Sequence, residues 1–100
     1  MPYLIETFDK PDSLALRQAT RPAHLAFLNE NVDRLLAAGA KWTEDDLTAL
    51  GSVIILDVDT RAEAEAFAAG DPFAQAGLFA ETRITRWRLA FLDRTSRLPS

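Results

Sequence analysis

The sequence predicts an α+β fold of the ferredoxin-like kind, β-α-β-β-α-β, with two helices on one face of a four-stranded antiparallel sheet. Three observations predict it. Ser52-Val53-Ile54-Ile55-Leu56-Asp57-Val58 is a near-continuous apolar run of strand length, suited to a central position in the sheet. Leu25, Leu28, Val32, Leu35 and Leu36 recur at a helical period and form one stripe. Thr60-Arg61-Ala62-Glu63 is a capping box that opens a second, alanine-rich helix.

The other elements fall around these three. Tyr3 to Phe8 mixes aromatic, β-branched and polar residues and reads as a first strand, ended by Asp9-Lys10-Pro11. Pro11-Asp12-Ser13 can start a short helix over Leu14 to Ala19, with Asp12 or Ser13 as cap. Thr20 offers a second cap, because Arg21-Pro22 puts proline in a first turn, where its missing N–H costs least. The helix predicted from there carries the leucine stripe and closes at Gly39 as its C′ residue. His24 and Asn31 lie on the edge of that stripe, and Phe27 lies off it. Lys41 to Glu44 reads as a short strand and Asp45 to Gly51 as a turn whose middle can also belong to a strand. The alanine-rich helix runs to Ala69 and Gly70 stops it. Asp71 to Leu78 is a compact connection with room for one helical turn, and Glu81 to Trp87 is the last strand.

Residues 89–100 form a C-terminal tail without a clear period, so residues 1–100 read as a single domain. Two helices leave the second face of the sheet uncovered. That predicts a homodimer packed sheet against sheet, with Tyr3, Ile5, Trp42 or Trp87 at the contact.

Composition excludes several function classes. A hydrophobic fraction of 48% and a charged fraction of 26% are those of an ordered globular chain. No apolar run approaches the length of a membrane span, and the N-terminus carries no signal peptide, so the expected location is cytoplasmic. The absence of cysteine removes disulfides, thiol catalysis and thiolate metal sites. With one histidine, no metal site is expected. A net charge of −4 argues against a nucleic-acid partner.

That histidine, His24, sits in Arg21-Pro22-Ala23-His24. It is where proton chemistry near neutral pH belongs. Its best partner is Asp71 in Gly70-Asp71-Pro72-Phe73, the two being expected to meet at the mouth of a small cavity. A carboxylate accepting from one ring nitrogen fixes the tautomer and stabilises the imidazolium. Each residue also has a plainer reading. A lone helix histidine can simply bond a backbone carbonyl, and Asp-Pro after a helix-ending glycine is a common turn. Ser52, following Gly51, can place a hydroxyl at the cavity or merely begin its strand. Arg17 and Arg21 can be surface charges. On an unbroken helix through Thr20, however, Arg21 would project onto the apolar stripe and need an anionic partner, Asp12 or a substrate carboxylate or phenolate. Arg83, Arg86, Arg88, Arg94 and Arg97 read as a solvated face and tail, or a subunit contact.

Several of these stretches, taken together, resemble the YciI-like (YCII-related) proteins of the dimeric α+β-barrel superfamily. They are Asp9-Lys10-Pro11-Asp12-Ser13-Leu14, Arg17, Arg21-Pro22-Ala23-His24-Leu25, Ala38-Gly39, Gly51-Ser52, Glu63-Ala64 and Asp71 through Leu78. The resemblance covers nearly the whole chain. It implies the fold above, a homodimer, and an active site built on a His–Asp pair. One branch is similar to cofactor-free enzymes that eliminate chloride from hydroxylated aromatic or lactone compounds; related folds include muconolactone isomerase and haem-degrading monooxygenases. Ala40 departs from the pattern, where proline often stands, as does the short acidic stretch Thr43 to Leu50. The expected function is acid/base catalysis of lyase or isomerase type on a small anionic or phenolic molecule. His24 and Asp71 would be catalytic; Arg21, Ser52 and Arg17 would bind substrate, and no cofactor is expected. The alternatives are a non-catalytic dimer that binds a metabolite or partner, or haem handling with His24 as axial ligand.

Overall fold

The computed structural model describes residues 1–99, in the order β1 (Tyr3–Asp9), α1 (Leu14–Glu30), β2 (Leu35–Trp42), β3 (Ala49–Leu56), α2 (Arg61–Gly70), α3 (Pro72–Gln75), β4 (Phe79–Arg86), β5 (Phe91–Leu92) and β6 (Thr95–Ser96). The four-stranded sheet is antiparallel with strand order β2-β3-β1-β4, the ferredoxin-like arrangement. β3 lies inside the sheet, as its apolar run predicts.

Period-two alternation sorts the sheet into faces. In β1, Tyr3, Ile5 and Thr7 are buried, and they pair across to Leu56, Ile54 and Ser52 of β3, which are buried too. These residues face the helices. The core gathers Tyr3, Ile5, Ile54, Leu56 and Val58 under Ala64 and Phe67 of α2. Each large side chain fully buried there contributes about 1.5–3 kcal/mol. The opposite face presents Leu4, Glu6 and Phe8 of β1 with Val53 and Ile55 of β3, all only half-buried. Tyr3 and Ile5 therefore belong to the core beneath the helices and not to the uncovered face. The alternation in β1 decides this, and one residue of register reverses it.

The structure corrects four local readings. First, α1 is one helix of 17 residues with Pro22 inside it, so Thr20 caps nothing. Pro22 and Gln18 are both exposed, so the carbonyl freed by the missing N–H meets water. Burial of Arg17 and His24 on the other face holds the helix together. Second, the leucine stripe stops being helical after Leu28. Asn31 Nδ2 donates to the Phe27 carbonyl at 2.8 Å, a 3-10 turn covers Val32–Arg34, and Leu35 onward is strand. Gly39 is mid-strand in β2 and not a helix terminus. Leu-Leu-Ala-Ala-Gly-Ala suits either state, and the free edge of β3 decides in favour of strand.

Third, β3 begins at Ala49, so the turn is shorter than expected. Gly51 is essential in that early segment. Its φ is +152°, and a Cβ there would overlap the Thr7 carbonyl of β1. Fourth, the tail holds a hairpin, β5–β6, turned by Asp93 and Arg94, both with positive φ. Ser100, the last residue of the tail, lies outside the described residues.

Candidate functional site

Helical spacing on α1 puts Arg17, Arg21, His24 and Leu28 on one face, at steps of four, three and four. That face looks toward α3 and across to β2 and β3. Opposite it, the helix-facing residues of β2 are Ala38 and Ala40, paired to Ile54 and Ser52. Small side chains there leave α1 with little to pack on. The result is a cavity of about 200 Å³ lined by Arg21, His24, Leu28, Ala40, Ser52 and Phe73, among others.

The chain turn after α2 supplies the histidine's partner. Asp71 is the N-cap of α3, its Oδ1 accepting the Phe73 N–H at 2.9 Å, with Pro72 in the first turn. The same Oδ1 lies 2.8 Å from Nδ1 of His24. Asp71 is 3% exposed and His24 7%. The capping role and the histidine contact thus fall on one oxygen, so the turn-forming reading of Asp71 and the site reading hold together. The His24 ring is further fixed by stacking on Phe73, with centroids 4.0 Å apart and planes 18° from parallel.

When Asp71 is ionised, Nδ1–H of the ring donates to its Oδ1, which in the neutral ring leaves Nε2 with its lone pair. Among the described residues Nε2 has no hydrogen-bond partner, and no fully buried side-chain nitrogen or oxygen lacks one. Nε2 is therefore the nitrogen open to the cavity that His24 lines. Such an arrangement can accept a proton from a bound molecule and return it elsewhere.

The two arginines part company. Arg17 is buried and bidentate to Asp9, Nε to Oδ2 at 2.6 Å and Nη2 to Oδ1 at 3.1 Å. Its guanidinium carbon also sits 4.6 Å from the Phe73 ring centroid. Arg17 is thus neutralised and committed to holding β1, α1 and α3 together. Arg21 is exposed, and no carboxylate among the described residues pairs with it; Asp12 is not its partner. It stands at the cavity as an uncompensated positive charge that favours an anion. Ser52 lies at the cavity with its Oγ 2.7 Å from Thr7 Oγ1, which also accepts the Ser52 N–H at 3.0 Å. Thr7 holds the Ser52 hydroxyl in place, and that hydroxyl keeps capacity for a second hydrogen bond.

Sequence reasoning missed Asp9, Thr7 and Phe73. Asp9 and Thr7 sit on the inward side of β1, where the alternation gave a signal. Phe73 gave none, because nothing local tells an aromatic that stacks on a histidine from one that fills the core. Among the described residues no three His, Asp or Glu side chains gather as metal ligands. No described helix is long and apolar enough to cross a membrane.

A family model described as the YCII-related domain matches residues 1–88. Protein YciI of Escherichia coli O6:H1 is 36% identical over 98 residues, spanning 91% of this chain and all of that protein. An uncharacterised protein of Haemophilus influenzae is 33% identical over the same spans. Among solved structures, 5-chloro-2-hydroxyhydroquinone dehydrochlorinase (TftG) from Burkholderia phenoliruptrix AC1100, in complex with 2,5-dihydroxybenzoquinone, superposes with a TM-score of 0.82. It is 35% identical, over 88% of this chain and 94% of that one.

Proposed function

The chain belongs to the YCII-related family, and from that premise we propose that it is a small-molecule enzyme of the lyase or isomerase type that works by acid/base chemistry on a phenolic or otherwise anionic compound. One observation carries the reading: the ring of His24, tied at Nδ1 to buried Asp71, lines a cavity that also holds the uncompensated cation Arg21. A base and a positive charge around one small space are what proton abstraction next to a developing oxyanion requires. A cavity of about 200 Å³ takes a molecule built on a single ring; one of ~150 Å³ is enough for benzene.

In this mechanism Nε2 of His24 takes a proton from the substrate, and Asp71 stabilises the imidazolium so formed. Arg21 pairs with the phenolate or enolate oxygen on which charge accumulates, and Ser52 donates its hydroxyl to the same oxygen. In an elimination, the electron pair freed by the proton forms the new double bond and the leaving group departs as an anion. In an isomerisation, the imidazolium returns the proton to another carbon. Neither route needs a covalent intermediate. The dehydrochlorinase named above performs a reaction of the first kind on a hydroxylated ring, which supports elimination. The half-buried sheet face of Leu4, Phe8, Val53 and Ile55 supports a homodimer in which a second copy covers it.

The test measures chloride release from 5-chloro-2-hydroxyhydroquinone and proton exchange into simple hydroxyquinols, for the native protein and His24→Ala. A loss of about 10²–10⁴-fold in the variant, which is the range for a general base, is the expected result. Equal rates would refute the assignment. Binding of such compounds without conversion would favour a non-catalytic domain.

A further inference from the structure

The cavity beside His24 does not end at Arg21. A second hollow of about 410 Å³ continues along α1 and is bounded by Leu14, Gln18, Ala49 and the Trp42 indole. Arg17, Arg21 and Ala40 border both spaces. The cause is again β2. Ala40 offers only a methyl group to α1, so the groove between helix and edge strand runs from His24 past Arg21 to the end of the strand. There Trp42 is 52% exposed, on an edge strand, in a hollow it shares with Leu14, Ala40 and Ala49 on the apolar side and Arg17, Gln18 and Arg21 on the polar one. A large aromatic left half in water beside an unpaired cation is a costly arrangement for an empty protein, and a useful one for a ligand.

We propose that this second hollow is a substrate compartment, floored by Trp42 and separated from the His24 cavity by Arg21, that receives an apolar arm on the substrate. The inference deepens the function proposed above and rests on it. The substrate class is then an aromatic ring with an anionic or phenolic oxygen and, beyond that oxygen, a second apolar group such as a ring or short alkyl chain. The reacting ring lies against His24, the oxygen meets Arg21, and the arm lies on the indole. Trp42 acts here as a specificity residue. It touches the arm and no reacting atom, so it governs affinity for armed substrates and leaves the chemical step alone.

Calorimetric titration of the native protein with salicylate and with 3-phenylsalicylate isolates the arm, because the two share one anionic head. The phenyl group is expected to tighten binding about tenfold or more, by leaving water for the indole and its neighbours. Trp42→Ala should remove that gain and leave salicylate binding unchanged, while Trp42→Phe keeps most of it. His24→Gln should change the affinity of both ligands by the same factor and keep the gain from the phenyl group, which separates the arm's compartment from the His24 cavity. Arg21→Gln should weaken both together. Equal affinity for the two ligands, or an arm effect that survives in Trp42→Ala, would overturn the compartment and leave the His24 site standing. Failure of both ligands to bind the native protein would overturn the compartment and the anion site together.

Discussion

Replacing Asp71 by Asn keeps the shape of the pair and removes its charge. In the native protein Oδ1 receives two donors, the Phe73 N–H at 2.9 Å and the His24 ring at 2.8 Å. Asparagine retains one carbonyl oxygen of the same placement, so the cap on α3 survives. What is lost is the charge-assisted part of the bond to an imidazolium. Hydrogen bonds to charged groups contribute about 1.5–3 kcal/mol. At ~1.4 kcal/mol per tenfold, that loss lowers kcat by roughly 10–150-fold. KM should barely move, because neither Asp71 oxygen touches substrate and Arg21 is untouched. Folding should be less affected than in Asp71→Ala, which also discards the cap, typically about 1 kcal/mol. Steady-state kinetics of both variants, beside urea denaturation of each, separate the two roles. The reasoning fails if Asp71→Asn turns over at the native rate, or if its loss appears in KM alone.

Three further outcomes follow from the fold. Gly51→Ala sets a Cβ against the Thr7 carbonyl where β1 and β3 meet and at a φ of +152°; thermal denaturation should show a loss of about 2–4 kcal/mol or failure to fold. Pro22→Ala restores the N–H for the exposed Gln18 carbonyl inside α1, and should raise stability by up to about 3 kcal/mol in urea unfolding, activity unchanged. The Asp45 carboxyl in the β2–β3 turn is held below the usual aspartate range by the Thr43 hydroxyl and then the Leu47 N–H. Its folded value is depressed, so these bonds support the turn above about pH 3.9 and are lost as pH falls through the folded value. A carbon-detected NMR titration should find the Asp45 midpoint low, and Thr43→Ala should move it up.

Much of the fold was legible because its signals are local and redundant. The Val53–Leu56 run, the Thr60–Glu63 capping box and the polar turn before β3 each point one way, and the α+β order follows from them. Where they conflict, tertiary context wins. The leucine stripe predicted helix through Leu36, but the chain leaves the helix at Asn31 because β3 needs a partner along its outer edge. Pro22 suggested a break that α1 does not make, since its solvent side tolerates the lost bond while its inner face is anchored. The meeting of His24 with Asp71, 47 positions away, has no local signature; residue type suggested the pair and the resemblance reinforced it. The unequal fates of Arg17 and Arg21 were also hidden, because they depend on which of Asp9 and Asp12 the β1–α1 turn directs inward. The groove itself is written in what β2 lacks, the side-chain bulk missing at Ala38 and Ala40.

The central claim is that Nε2 of His24 is a free base facing a bound anion. Nitrogen-15 NMR of the ring, with salicylate added stepwise, tests this most directly. The account predicts a hydrogen on Nδ1 in the bond to Asp71, with the Nε2 resonance shifting as ligand binds and no such shift in Arg21→Gln. A ring whose Nδ1 carries no hydrogen in the free protein, or an Nε2 signal indifferent to ligand that binds, would contradict it.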